Sequence, residues 1–497
     1  MKEIFRARAW IAVGLAAVVV LAGVLLFPPK TQTPAQSLDV IGDVAKALSI
    51  TDGGGFKTEQ FAYKGNTFAG IPLSDILAKV QPLAKSNSIL FMTKDSLMAE
   101  IASDDLAGCY IIAPEDGKNG WEAVNTRHPV LSNMKQISSI AVVSNDLETD
   151  NALNIVSDSQ LLFTLTPGNL LKRGYAVGVK TGGTSKMESD GKTLTATQYN
   201  VYKYVSLASL AGEAGQKISN VLVVGEEGGY AYDAAPGVIK IEKNSLTYMF
   251  SDRKTEMKNA RGILINPPQK SNTDVKEDAL KALKQNKKVL IVILDGFGYG
   301  QYEDALKQGL IPFIGSLGEA QKASTVFIPV TNAGMAAILT GEGPDKNGVW
   351  FRQKDLKAED IFKAATALGK KSVYVEGDKL IVKTSGTPVL NSDRNGDGNT
   401  DDEIFACIRD AMSKDEADLY AVHFHAIDDA GHAGDAQKMT KVIASSDTYV
   451  KALASGFDGC VIIVADHGVH DEGSGKNHGE FLPQDMIIPY ILWDGGK

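Results

Sequence analysis

Apolar and polar positions give the chain three textures. Residues 10–27, WIAVGLAAVVVLAGVLLF, are uncharged and lie between Lys2, Arg6 and Arg8 on one side and Pro28-Pro29-Lys30 on the other. Eighteen apolar residues fall between a signal-peptide core and a full span of about 20, so a membrane anchor over 1–30 is expected. A signal cleaved at the small residues Thr33 and Ala35 is the alternative. The preceding positive charges orient the segment so that the rest of the chain lies outside the cytoplasm, held at the cell membrane or, after cleavage, secreted. From the linker KTQTPAQS to about residue 150, short apolar runs such as SILFMT, CYIIAP and ISSIAVV are separated by Gly, Asp and Asn, the pattern of strands. Within PLSDILAKVQPLA, Ile76, Leu77 and Val80 share one helical face.

The stretch 151–270 repeats this plan. ATQYNVYKYVSLASLAGEAGQKISNVLVV can be laid beside TEQFAYKGNTFAGIPLSDILAKV: each has a tyrosine-containing strand, a short helix near a Ser/Leu pair and a polar turn. Two tandem β-rich α+β modules, 31–150 and 151–270, are therefore expected. The pattern resembles the β-rich fold that holds molybdopterin in sulfite oxidases, without a cysteine where that cofactor's thiolate is expected, so no redox function follows. From EDALKALKQNKK onward strands alternate with helices, which predicts an α/β domain with a mostly parallel sheet flanked by helices over 286–497. Its strands, KVLIVILDGFG, KSVYVEGD, ADLYAVHFHAID and GCVIIVADHG, mostly end in Asp or His, and in open α/β sheets the site lies beyond those ends.

The net charge of -9 over 497 residues argues against nucleic-acid binding through a basic face. Cys109, Cys407 and Cys460 are far apart in apolar contexts and share no metal-ligand spacing, so they read as small buried hydrophobes. The Gly-rich stretches GEEGG and TGGTS lack a phosphate-loop ending and read as turns.

The chemistry gathers late in the chain. Six of the seven histidines fall between 423 and 478. Asp295 ends a strand, and Thr331 opens the apolar helix pattern TNAGMAAILTG. Asp428 and His432 are four apart, Asp466-His467 ends a strand, and His478 follows. Such Asp, His and hydroxyl groups suit two divalent ions, each with three or four N/O ligands, and zinc in particular. A threonine at a helix N-terminus suits a nucleophile there, because backbone N–H groups face an incoming phosphate.

With these residues in place, 286–497 resembles the alkaline phosphatase superfamily, and within it the type I phosphodiesterase/nucleotide pyrophosphatase branch. Thr331, Thr340-Gly341, the run PDKNGV from Pro344 to Val349, and Asp428-x-x-Gly431-His432 fall in that branch's register. The resemblance implies one metal on Asp428, His432 and His478, another on Asp295, Asp466 and His467, and Thr331 as the nucleophile that becomes phosphothreonine. Asp429 is the alternative to Asp428, which the family spacing favours. Arg352 stands where the branch usually has asparagine; a guanidinium grips two phosphoryl oxygens, so phosphomonoesters stay open beside diesters. His423 and His425 are read as pointing to opposite sides of their strand, in core or supporting roles, and His470 as a further supporting candidate. In DRNGDGNTDDE, Asp393, Asn395, Asp397 and Asp401 occupy positions 1, 3, 5 and 9 of a calcium loop, although Ile404 stands at position 12.

The expectation is a two-metal phosphoric ester hydrolase on the extracytoplasmic side, its substrate a phosphate ester, the membrane reached through the N-terminal segment and an envelope ligand held by the β-rich modules. An envelope phosphotransferase with the same nucleophile, or a non-catalytic cell-surface binding protein, are the rivals.

Overall fold

The computed structural model describes residues 36–495 apart from 52, 53, 115–119, 148 and 191. The expected membrane segment lies outside the described residues, and no helix among those described is long and apolar enough to cross a membrane. The chain divides into two compact units, 1–146 and 147–497.

The first unit holds a nine-stranded sheet. Its opening strand, Leu38–Gly42, runs parallel to its last, Met134–Ser144, and its other ladders are antiparallel. The helix Leu73–Val80 buries Leu73, Ile76, Leu77 and Val80, the face the apolar spacing predicts, in a core that includes Trp121 and Phe91.

In the second unit, residues 153–265 contribute two five-stranded sheets. Here too the opening strand, Leu153–Val156, pairs in parallel with a late one, Ala260–Ile265. The strand–helix–strand order Lys192–Ser206, Leu207–Glu213, Val221–Gly225 matches Asn66–Pro72, Leu73–Val80, Asn87–Thr93 of the first unit. This region shares a core with the C-terminal part, where Val156, Leu222, Val224 and Leu264 pack with Phe481, Met486 and Ile487. Phe481 lies so close under Gly262 that a Cβ there would come within 2.3 Å of its ring.

One expected turn is a strand. TGGTS lies inside Ala176–Ser189, which pairs with Lys192–Ser206 and shifts register between Thr181 and Gly183. The glycines serve a bulge, where a residue without Cβ fits. GEEGG is a turn, with a 3-10 helix at Glu226–Gly228.

The C-terminal sheet has eight strands, with Lys288–Leu294 between Leu419–Phe424 and Gly459–Val464, both parallel to it. Ser372–Glu376 extends the parallel set beyond Leu419–Phe424, and Ile487–Asp494 runs antiparallel on the far side of Gly459–Val464. The three central strands are buried almost throughout, as near-continuous Val/Ile/Leu runs covered on both faces require. The mostly parallel α/β sheet is thus as expected, and its three central strands end at one place.

Candidate metal centre

Asp295 follows the central strand, and its N–H donates to the Phe424 carbonyl at 2.9 Å, tying two strand ends together. The helix Ala426–His432 starts just past Phe424, and its four-residue spacing sets Asp428 and His432 on one face, with Asp428 Oδ2 3.2 Å from His432 Nε2. Asp466 and His467 follow the strand Gly459–Val464. His478 arrives from the hairpin His470–Glu472/Gly475–Asn477, its Nε2 3.2 Å from His432 Nε2 and 3.8 Å from Asp428 Oδ1.

Two groups of three result: Asp428, His432, His478 and Asp295, Asp466, His467. In the second, His467 Nε2 is 3.3 Å from Asp295 Oδ1 and 3.4 Å from Asp466 Oδ2. A tetrahedral ion with bonds of about 2.0–2.2 Å has ligand–ligand edges of about 3.3–3.6 Å, so these separations suit a shared cation. Tautomers agree: His467 Nδ1 donates to the Gly468 carbonyl at 3.0 Å and His478 Nδ1 to the Pro329 carbonyl at 3.1 Å, leaving each Nε2 lone pair facing inward. Asp295 Oδ1, Asp428 Oδ1 and Asp466 Oδ2 are buried without a hydrogen-bond partner among the described residues. Leaving buried carboxylates unpaired is costly, and divalent cations would satisfy all three.

Close packing sets this geometry. Gly296 sits at φ +70°, and an added Cβ would stand 2.8 Å from Asp428 Oδ1. A Cβ at Gly334 would lie 2.4 Å from the Asp466 carbonyl oxygen, so the helix Thr331–Thr340 rests directly on the backbone of Asp466. Thr331 is the first residue of that helix, and its Oγ1 is 3.4 Å from His467 Nε2.

Electrostatics report the crowding. Burial pushes the Asp466 carboxyl up to about 7, with the charge of Asp295 adding to it. Burial also opposes charge on His467, but the Asp466 and Asp295 carboxylates outweigh it and raise the imidazole to about 9. His478 falls to about 4, chiefly through burial and then through His467. Burial pushes the Asp295 carboxyl up, but the His423 and His425 imidazoles facing it outweigh that and hold it well below the usual carboxylate range.

The structure departs from the sequence expectations at three points. His423 and His425 do not point apart: their ring centroids are 4.0 Å from each other and both face Asp295. Residues two apart share a strand face, so the period of the strand already held this signal. Asp401 leaves the calcium loop; it is buried and its carboxylate accepts the N–H groups of His425 and Ala426 at 2.8 and 3.2 Å. Asp393 instead accepts from Gly396 and Gly398, while Asp402 faces Asn395 at 2.9 Å. Sequence reasoning also missed Glu376, which is fully buried at a strand end and meets both histidines.

Arg352 is exposed, its guanidinium 5.3 Å from the Phe351 ring centre. The turn that carries it abuts the Thr331 region, because Trp350 O accepts from Ile328 N at 3.3 Å and Gln353 O from Asn332 Nδ2 at 3.5 Å. Asp429 is an exposed residue whose carboxyl is raised chiefly by desolvation among its neighbours, and it lies outside both three-residue groups. His470 donates through Nδ1 to Asp485 at 2.8 Å and so pins the loop between His467 and His478. Asn347, in PDKNGV, is buried and accepts from Val349 N at 2.8 Å, closing a turn. Cys109 and Cys460 are buried, Cys407 is half-buried, and all three are free thiols.

Residues 287–481 match the family profile described as Metalloenzyme superfamily. Among solved structures, phosphonoacetate hydrolase from Sinorhizobium meliloti 1021 in complex with phosphonoformate matches at 20% identity and a TM-score of 0.31, over 37% of this chain and 57% of that one. Murine ectonucleotide pyrophosphatase/phosphodiesterase 5 matches at 19% identity and a TM-score of 0.31, over 38% of this chain and 58% of that one. This chain thus spans less than three-fifths of the length of the solved structures it matches. No curated protein matches it.

Proposed function

We propose that the metalloenzyme-superfamily domain over residues 287–481 is a two-metal phosphoesterase acting through Thr331. The observation that carries this reading is a hydroxyl beside one of two neighbouring three-residue groups, with Thr331 Oγ1 3.4 Å from His467 Nε2 at the start of a helix. The first N–H groups of that helix lack helical acceptors and favour an anion. Three carboxylates against two dications leave about one positive charge, which suits a phosphate ester. When bound, the ions would supply Lewis-acid stabilisation of the phosphoryl oxygens and acidify the hydroxyl.

In the first half-reaction the Thr331 oxygen displaces the ester oxygen from phosphorus, the hydroxyl proton leaves with the departing alcohol, and phosphothreonine remains. Water then cleaves the new P–O bond and restores the hydroxyl. Zinc is the proposed metal, from a donor set of imidazoles and carboxylates without sulfur. Lys2, Arg6, Arg8 and the apolar run behind them support an extracytoplasmic site. Asp393, Asn395 and Asp397, with Asp402 and Glu403 in place of Asp401, are proposed as a weak calcium loop.

The test is hydrolysis of p-nitrophenyl phosphate, bis-p-nitrophenyl phosphate and a nucleotide p-nitrophenyl ester by zinc-loaded protein, beside Thr331→Ala. Turnover should be lost in the variant, and Arg352→Asn should shift preference from monoester towards diester. Equal turnover by Thr331→Ala refutes the nucleophile. Transfer to an added alcohol exceeding hydrolysis would make the protein a phosphotransferase instead.

A further inference from the structure

Beside the six ligands lie polar side chains that a two-metal reaction leaves unused. His423 Nε2 and His425 Nδ1 each stand 3.4 Å from Asp295 Oδ2. Their opposite nitrogens, His423 Nδ1 and His425 Nε2, meet Glu376 Oε1 at 3.0 and 2.6 Å. Glu376 is fully buried; its Oε2 accepts the Tyr374 hydroxyl and its Oε1 also accepts the Gly377 N–H at 3.1 Å. Gly377 must lack a side chain, since a Cβ there would come within 2.9 Å of the His425 ring. Asp401 fixes the backbone of His425 from the other side.

We propose that Asp295 Oδ2, His423 Nε2 and His425 Nδ1 form a third divalent metal site, nitrogen-rich and of the zinc or cobalt class, with Glu376 as the common acceptor behind both imidazoles. It rests on the two-metal reading through Asp295, which turns Oδ1 towards His467 and Oδ2 towards this site. A carboxylate that takes the outer N–H of a histidine fixes which nitrogen keeps its lone pair, and one that does so for two rings at once aims both lone pairs at one point. That point faces a carboxylate oxygen.

The competing account is a metal-free cluster of two imidazoliums and two carboxylates. It requires His423 Nε2 and His425 Nδ1 to donate to Asp295, yet 3.4 Å is beyond the usual 2.7–3.2 Å of such bonds. It also leaves His423 Nε2, in a side chain with no exposed surface, without a hydrogen-bond partner among the described residues. The same 3.4 Å is the edge that a shared tetrahedral ion would give.

The experiment is a cobalt(II) titration of the chelator-stripped full chain followed by visible absorption, with zinc counted by mass spectrometry after dialysis of the reloaded protein. Three ions per chain are expected for the wild type, two for His425→Ala, and a third-site affinity weakened by roughly 10–100-fold for Glu376→Gln. Asp393→Ala should keep three, which separates this site from the oxygen-lined loop. A wild-type endpoint of two ions overturns the third site and leaves the two-metal centre standing; the endpoint needs no variant, so misfolding of a mutant does not cloud it. Three ions retained by a folded His425→Ala overturns the assignment to these residues. No ion bound by the wild type overturns the third site and the proposed phosphoesterase together.

Discussion

On the proposed two-metal reading a proton competes with metal for His467, and the structure sets the terms. Its Nδ1–H is committed to the Gly468 carbonyl, so the titrating proton sits on Nε2, the atom that would hold the ion. Burial opposes that proton, but Asp466 and Asp295 hold it, raising the imidazole to about 9. Below 9 the proton stays bound, and metal must displace it. One pH unit corresponds to about 1.4 kcal/mol, so two units at pH 7 cost about 2.7 kcal/mol, or roughly 100-fold in affinity relative to pH 9. Affinity should therefore rise about tenfold per pH unit from 7 to 9 and then level off. At lower pH the slope should steepen, because the Asp466 carboxyl, also raised by burial, takes up a second proton. Competition against a fluorescent zinc chelator of known proton affinity, run from pH 6 to 9.5, reads this directly. After correction for the chelator, an affinity flat between pH 7 and 9 would refute the argument: either His467 is neutral in the metal-free protein or it does not bind the ion.

Gly296→Ala should place a Cβ 2.8 Å from Asp428 Oδ1 at a φ of +70°. The backbone strain alone is about 1–2 kcal/mol, and a displaced Asp428 should cost the Asp428–His432–His478 group tenfold or more in zinc affinity, measured by titration. Calcium should raise the melting temperature of the wild type and not of Asp393→Ala; identical shifts in the two proteins would remove the loop reading.

The two three-residue groups were legible because their members stand where local pattern and chemistry coincide: Asp295 and Asp466-His467 at the ends of Val/Ile runs, Asp428 and His432 one helical turn apart. Thr331 was legible as the first residue of a patterned helix. Glu376 was not, because KSVYVEGD reads as an ordinary strand, and only the pairing of Ser372–Glu376 with Leu419–Phe424 brings it beside His423 and His425. Asp401 was misassigned because the loop spacing counts residues and cannot show a side chain turning back to cap the backbone at His425. The β-rich stretches gave their strands and helices, while sheet membership depends on long-range pairings such as Leu153–Val156 with Ala260–Ile265.

The contact between Phe481 and Gly262 bears on how such a chain can be divided. Phe481 follows His478 by three residues, and with Met486 and Ile487 it is covered by Val156, Leu222, Val224 and Leu264. A fragment beginning at residue 286 would strip that cover from the loop that carries His478. The smallest inheritable piece that keeps the His478 loop covered therefore reaches back to about residue 150, so recombination or truncation near 270 would open the candidate centre as well as the fold.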